Sequence, residues 1–172
     1  MVGKIILRTS PYGLSLVLVV TWAVIALAGG FWISVEAPGK TDASLTDAVV
    51  IVRPYGCHRP SDAMLSGTAE GLVNGRRQSV PLQFAATSKG VYAVRQQWPS
   101  QGVWVLAITG TYNGHTSSAL VEIGADGRVQ LATGNGKDSA ARTVSRKFSA
   151  GEIEAALKAL ASKSNQSARA SR

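Results

Sequence analysis

LSGTAEGLVNGRRQSVPLQF, residues 65–84, contains two alternating runs joined by Asn74-Gly75. Asn-Gly between alternating runs is the strongest short hairpin signal, because both turn residues must tolerate positive φ. The first run, 65–73, stops at the turn. The second, 76–84, puts Val80, Leu82 and Phe84 on one face and Ser79, Pro81 and Gln83 on the other. Pro81 has no N–H to give to a ladder, so its strand belongs at a sheet edge or at a bulge.

The period stays at two on both sides of this hairpin. DAVVIV (47–52) is β-branched and bounded by Pro54, and VYAVR (91–95) follows a Ser-Lys-Gly turn. GVWVLAIT (102–109) is apolar on both faces, with Val103, Val105 and Ala107 against Trp104, Leu106 and Ile108. That pattern describes a central strand covered on both sides. SALVEI (118–123) alternates again, Ala125-Asp126-Gly127 is a turn, and RVQLA (128–132) is a last strand. About seven short strands with regularly spaced turns predict an all-β fold: an immunoglobulin-like antiparallel β-sandwich over residues 48–133. The single cysteine excludes the Cys…Trp…Cys disulfide framework. The core must then come from packing, with Trp98, Trp104, Tyr92 and Phe84 as its large members.

Residues 36–47 and 134–148 read as polar linkers rich in Gly, Ser and Thr. Ser149 and Glu152 form a capping box. Ile153, Ala156, Leu157, Leu160 and Ala161 follow at helical spacing, which predicts an amphipathic helix over 149–163 docked on the sandwich or on a partner. Residues 164–172 have the composition of a disordered tail.

Near the N-terminus, LSLVLVVTWAVIALAGGFWI (14–33) lies in a stretch with no charge between Arg8 and Glu36, and Lys4 and Arg8 precede it. Two readings compete. Residues 1–28 are a signal peptide ending at Ala26-Leu27-Ala28, or the run is a transmembrane anchor reaching to about residue 35. Either places the domain outside the cytoplasm, exported to the periplasm or tethered to the inner membrane.

The chain has 172 residues, a formal charge of +8 and a pI near 10.1. Much of that charge is terminal: residues 137–172 hold eight Lys/Arg against three acids, a balance of +5. A basic terminal arm suits a solvated segment, so nucleic acid is not the expected partner. Binding of an anionic surface through this tail is one alternative.

RPYGCHRP (53–60) holds the lone Cys57 beside His58, one of only two histidines. If each connection reverses the chain, loops 53–60, 85–90 and 110–117 share one pole. Cys57, His58 and His115 then meet there, with Met64 near. A thiolate, imidazoles and a thioether suit Cu(I) and, less well, Zn(II). No cofactor is expected; copper is the foremost candidate for this set, and no C-x-x-C or H-x-x-x-H spacing supports it. In a competing reading Cys57 is a small hydrophobe tucked under the loop and His58 is solvated beside Arg59. In a third, Cys57 is an exported thiol that pairs with another chain or a small thiol. Adjacent residues on extended chain point to opposite sides, so Cys57 and His58 make a poor catalytic dyad. G-x-S-x-G, H-E-x-x-H and phosphate-loop motifs are absent from the sequence. The expected role is a non-catalytic binding module with a protein partner that the sequence does not identify.

GVYAVRQQWPSQGVWVLAITG (90–110) joins an aromatic strand, a Trp-Pro turn and a G-x-W-V-L strand. With GTAEGLVNGRRQSVPL (67–82) before it, the span 48–132 resembles exported bacterial immunoglobulin-like β-sandwich proteins. The resemblance implies a fold and no particular activity. Small periplasmic copper-carrier sandwiches are a looser likeness. Their sites use His, Met and acidic residues, and this chain has no Met/His-rich stretch.

Overall fold

The computed structural model describes residues 30–38, 45, 47–124, 126–130 and 141–170. Two antiparallel sheets stack face to face, with one helix on the outer surface of the larger. The first sheet has the order β1-β2-β6-β5, built from β1 (Trp32–Glu36), β2 (Ala48–Tyr55), β5 (Ala85–Ser88) and β6 (Val91–Arg95). The second has the order β10-β8-β7-β3-β4. It comprises β3 (Met64–Val73), β4 (Arg76–Pro81), β7 (Val103–Tyr112), β8 (His115–Ile123) and β10 (Arg142–Val144), and β9 (Val129–Gln130) also pairs with β8. The helix, α1, spans Ala150–Ala170.

The 65–84 hairpin forms as its sequence requires. Asn74 and Gly75 have φ of 50° and 75°, and Thr68 to Val73 pair with Pro81 to Arg76. β4 is an edge strand, which accommodates Pro81. Val80, Leu82 and Phe84 all pack on the inter-sheet core.

β7 shows why GVWVLAIT is apolar on both faces. Trp104, Leu106 and Ile108 enter the core between the sheets, with Val50, Val52, Val94 and Val121. Val103, Val105 and Ala107 point the other way and are covered by Leu157, Leu160 and Ile153 of α1. A sheet face this apolar is stable only when something covers it. Trp98 and Trp104 lie 6.3 Å apart in a tilted pair, and the Trp104 indole N–H donates to the Gln101 carbonyl at 2.9 Å. Tyr92 and Phe84 are half-buried against the same core.

The helix begins with the expected cap. The Ser149 N–H donates to Glu152 Oε2 at 3.0 Å, and the Glu152 N–H donates back to Ser149 Oγ at 3.3 Å. Glu152 also accepts both Arg146 guanidinium nitrogens at 2.8 and 2.9 Å. Arg77 bonds Glu154, and Lys163 reaches Glu122 at 3.0 Å, so ion pairs flank the apolar seam. Among the described residues, no helix is long and apolar enough to cross a membrane.

Several boundaries differ from expectation. The domain starts by Phe31 rather than at 48, because WISVE pairs along β2 from Trp32↔Tyr55 to Glu36↔Ile51. Phe31, Ile33 and Val35 are buried in the core, so the end of the apolar run belongs to the sandwich. β2 continues through Pro54 because its pairing with β6 stops at Val52↔Tyr92, and proline costs no ladder bond there. β5 and β10 are short and carry no apolar alternation that would announce them. β10 lies in the expected 134–148 linker, where Arg142 to Val144 pair with Leu120 to Ser118. The helix runs to Ala170, seven residues past 163, where a disordered tail was expected. Residues 1–29, most of the 36–47 linker, 131–140 and 171–172 lie outside the described residues.

Candidate functional site

The antiparallel pairings place three connections at one pole: 56–63 after β2, 89–90 before β6 and 113–114 between β7 and β8. Hydrogen bonds tie them together. The Arg59 N–H donates to the Tyr112 hydroxyl at 3.1 Å. The Tyr92 hydroxyl donates to the Ser61 carbonyl at 3.0 Å. Gly56 packs so closely on the backbone of Gly30 and Phe31 that an added Cβ would lie 3.3 Å from the Gly30 carbonyl oxygen. The first described residue therefore sits at this same pole.

Cys57 is exposed in its loop, not tucked beneath it. The following residue, His58, has φ of 68°, a left-handed turn that swings the chain toward Pro60–Asp62, a single 3-10 turn.

The three loops share a pole, as alternating reversals require, but they do not bring Cys57, His58 and His115 into one cleft. His58 lines one cleft with Arg53, Tyr55, Arg59 and Lys89, about 340 Å³ in volume. His115, paired with Tyr112 across the Asn113-Gly114 turn, lines a separate cleft of about 490 Å³ with Gly30, Arg146 and Lys147. Met64 opens β3 at the same pole and is 73 % exposed. Among the described residues, no group of three His, Cys, Asp or Glu side chains is placed to hold a metal ion. His58 and His115 therefore line two separate clefts, and Cys57 lines neither of them.

What gathers at this pole is basic and aromatic. Arg53, Arg59 and Lys89 line the first cleft with no carboxylate among its walls. The nearby acids are engaged: Glu36 with Arg53 at 3.6 Å and with Ser34, and Asp62 with Ser61. Beside Arg53, on the outer face of the first sheet, Trp32 and Tyr55 stack at 5.7 Å and 14°. They are 52 % and 39 % exposed, and with Met64 they are the exposed large hydrophobic side chains among the described residues. Trp32 and Tyr55 are register partners, and cross-strand aromatic pairs stabilise a ladder. Ring burial is incomplete, so the pair leaves an apolar platform in water.

Sequence reasoning missed Trp32, Tyr55, Arg53 and Lys89. Trp32 lies inside the apolar run 14–33, where hydropathy does not distinguish it from its neighbours. The signal lay in the alternation of FWISV, which puts Trp32 opposite in sense to Phe31 and Ile33.

The N–H of Ile33 donates to Ser117 Oγ at 3.2 Å, so the outer edge of β1 is partly closed against addition of a further strand. No protein-family model matches the chain, and searches of curated proteins and of solved structures likewise give no match.

Proposed function

We propose that this protein is a non-catalytic binding module of the bacterial cell envelope, an immunoglobulin-like sandwich exported to the periplasm or held at the inner membrane. The observation that carries the proposal is the exposed Trp32–Tyr55 stack beside a cleft lined by Arg53, Arg59 and Lys89. Aromatic and Arg side chains are the residue types that recognition surfaces concentrate. The rest of the sandwich supports this surface from both sides of the core, and its second sheet is already covered by α1.

A photoreactive residue placed in the full chain at Tyr55 or Lys89, in living bacteria, is expected to give a discrete adduct. The same residue at Gln78, on exposed edge strand β4, is expected to give none. Adducts at all three positions, or at none, would remove this reading.

A thiol-linked role is the second reading, favoured by the exposure of Cys57. Surface binding by the basic tail is less favoured, because Arg146, Lys158 and Lys163 already pair with Glu152, Glu154 and Glu122.

A further inference from the structure

We infer that the pole carrying Cys57 is a docking surface for anionic phospholipid headgroups, with Trp32 and Tyr55 at the level of the membrane interface. This rests on the binding-module reading and assigns its partner. Three observations converge. The first is charge: Arg53, Arg59, Lys89, Arg146 and Lys147 lie around this pole against Glu36, Asp62 and Glu152, five basic side chains to three acidic. Among the described residues, Arg59, Lys89 and Lys147 have no ion-pair partner, so their charge is open to an external anion. Basic residues beside a membrane are drawn to its anionic lipids.

The second is the aromatic pair. Tryptophan and tyrosine concentrate where a protein meets headgroups, because their rings are apolar with one polar atom. Trp32 and Tyr55 stand together at the end of β1 and β2 that faces this pole. The third is where the chain enters. Gly30 lies between the basic clefts, lining one and packed on Gly56 beside the other. Gly30 lies inside the uncharged apolar run 14–33, most of which precedes it. A segment with that composition, placed in or on a bilayer, delivers this pole to the membrane and leaves the Asn74-Gly75 pole farthest away.

Cys57 is the only cysteine and is exposed in a loop at this pole, so it is the natural reporter. The full chain, labelled at Cys57 with a fluorophore, is reconstituted into vesicles of phosphatidylcholine alone or mixed with phosphatidylglycerol. Quenching by acrylamide, a neutral solute, reports exposure. The proposal expects Cys57 to be shielded in the phosphatidylglycerol vesicles and released by high salt. A label at Gln78→Cys in a Cys57→Ser chain should be quenched equally in both. Each basic residue held at an anionic surface changes the docked-to-free ratio about fivefold. Reversing Arg59, Lys89 and Lys147 to Glu, which removes three positive charges and adds three negative ones, is then expected to lower that ratio by at least about a hundredfold. Lys89→Gln alone provides a milder variant should the triple change disturb folding.

Equal quenching of Cys57 in both vesicle types overturns the inference. So does shielding that survives charge reversal, which would mean tethering alone. Shielding of Cys57 in phosphatidylcholine vesicles on addition of inorganic phosphate would also overturn it, by marking a small-anion site. If the label ignores lipid charge while Tyr55 and Lys89 cross-link a protein, only the lipid assignment falls. If those cross-links fail too, the binding reading falls with it.

Discussion

Gly71 lies directly against the indole of Trp104, its register partner across β3 and β7, and no β-carbon fits between them. Trp104 is 1 % exposed and anchored through its N–H to Gln101, so the ring cannot retreat. Gly71→Ala is expected to lower stability by about 3 kcal/mol, the upper end of overpacking costs. Gly75→Ala meets open space, and only its φ of 75° opposes a side chain. Its cost is expected to be about 1 kcal/mol. Urea unfolding followed by tryptophan fluorescence checks the order. A harmless Gly71→Ala would mean that the β3–β7 approach is looser than described.

Docking of α1 rests on Leu157 and Leu160, both buried against Val103, Val105 and Leu120. Leu160→Ala is expected to cost about 2–4 kcal/mol through lost burial and a residual cavity. Lys158→Ala, on the exposed side of the same turn, should stay within about 0.5 kcal/mol. Urea midpoints by far-UV circular dichroism decide this, and equal small effects would mean that the helix is not an integral part of the domain.

Most of this architecture was legible because alternation and turn chemistry agree at each point. Asn74-Gly75 announces its hairpin, Pro81 announces an edge, and the two apolar faces of β7 announce two covering layers. The hidden parts have physical causes. WISVE follows seamlessly from an apolar run, and hydropathy alone does not separate a buried strand from a span. β5 and β10 have small or charged side chains whose strand state comes from their neighbours rather than from propensity. The pole was legible for its loops, since reversals alternate, but loop parity sets an end of the sandwich and not a direction for a side chain. That is why Cys57 and the two histidines share a pole without sharing a cleft.

Exposure of Cys57 has a direct consequence. A maleimide or aromatic disulfide reagent is expected to modify it in the native chain about as fast as in urea, whereas a thiol under the loop would react only on opening. Protection in the native chain would restore the tucked arrangement.

Because His58 and His115 line different clefts, any Cu(I) or Zn(II) captured at Cys57 should be indifferent to His115→Ala and abolished by Cys57→Ala. Competition titration of the full chain gives the answer. Equal loss in both variants would show that the two loops close on a metal.

The cap of α1 ties stability to pH. Hydrogen bonds from the Arg146 guanidinium, and then from the Ser149 N–H and hydroxyl, hold the Glu152 carboxyl well below the usual carboxylate range. A group whose pKa is lowered by folding stabilises the folded state above its unfolded value, about 4.3 for glutamate, and that contribution fades as pH falls toward the folded value. Wild type is therefore expected to exceed Glu152→Gln in urea midpoint at neutral pH, with the gap constant down to about pH 5 and closing in acid. Asp47, lowered chiefly by its hydrogen bond from Arg95, titrates in the same direction in both proteins. The difference between the two curves, rather than the slope of either, isolates Glu152. Parallel curves across the acid range would mean that the Arg146–Glu152–Ser149 arrangement does not persist in solution.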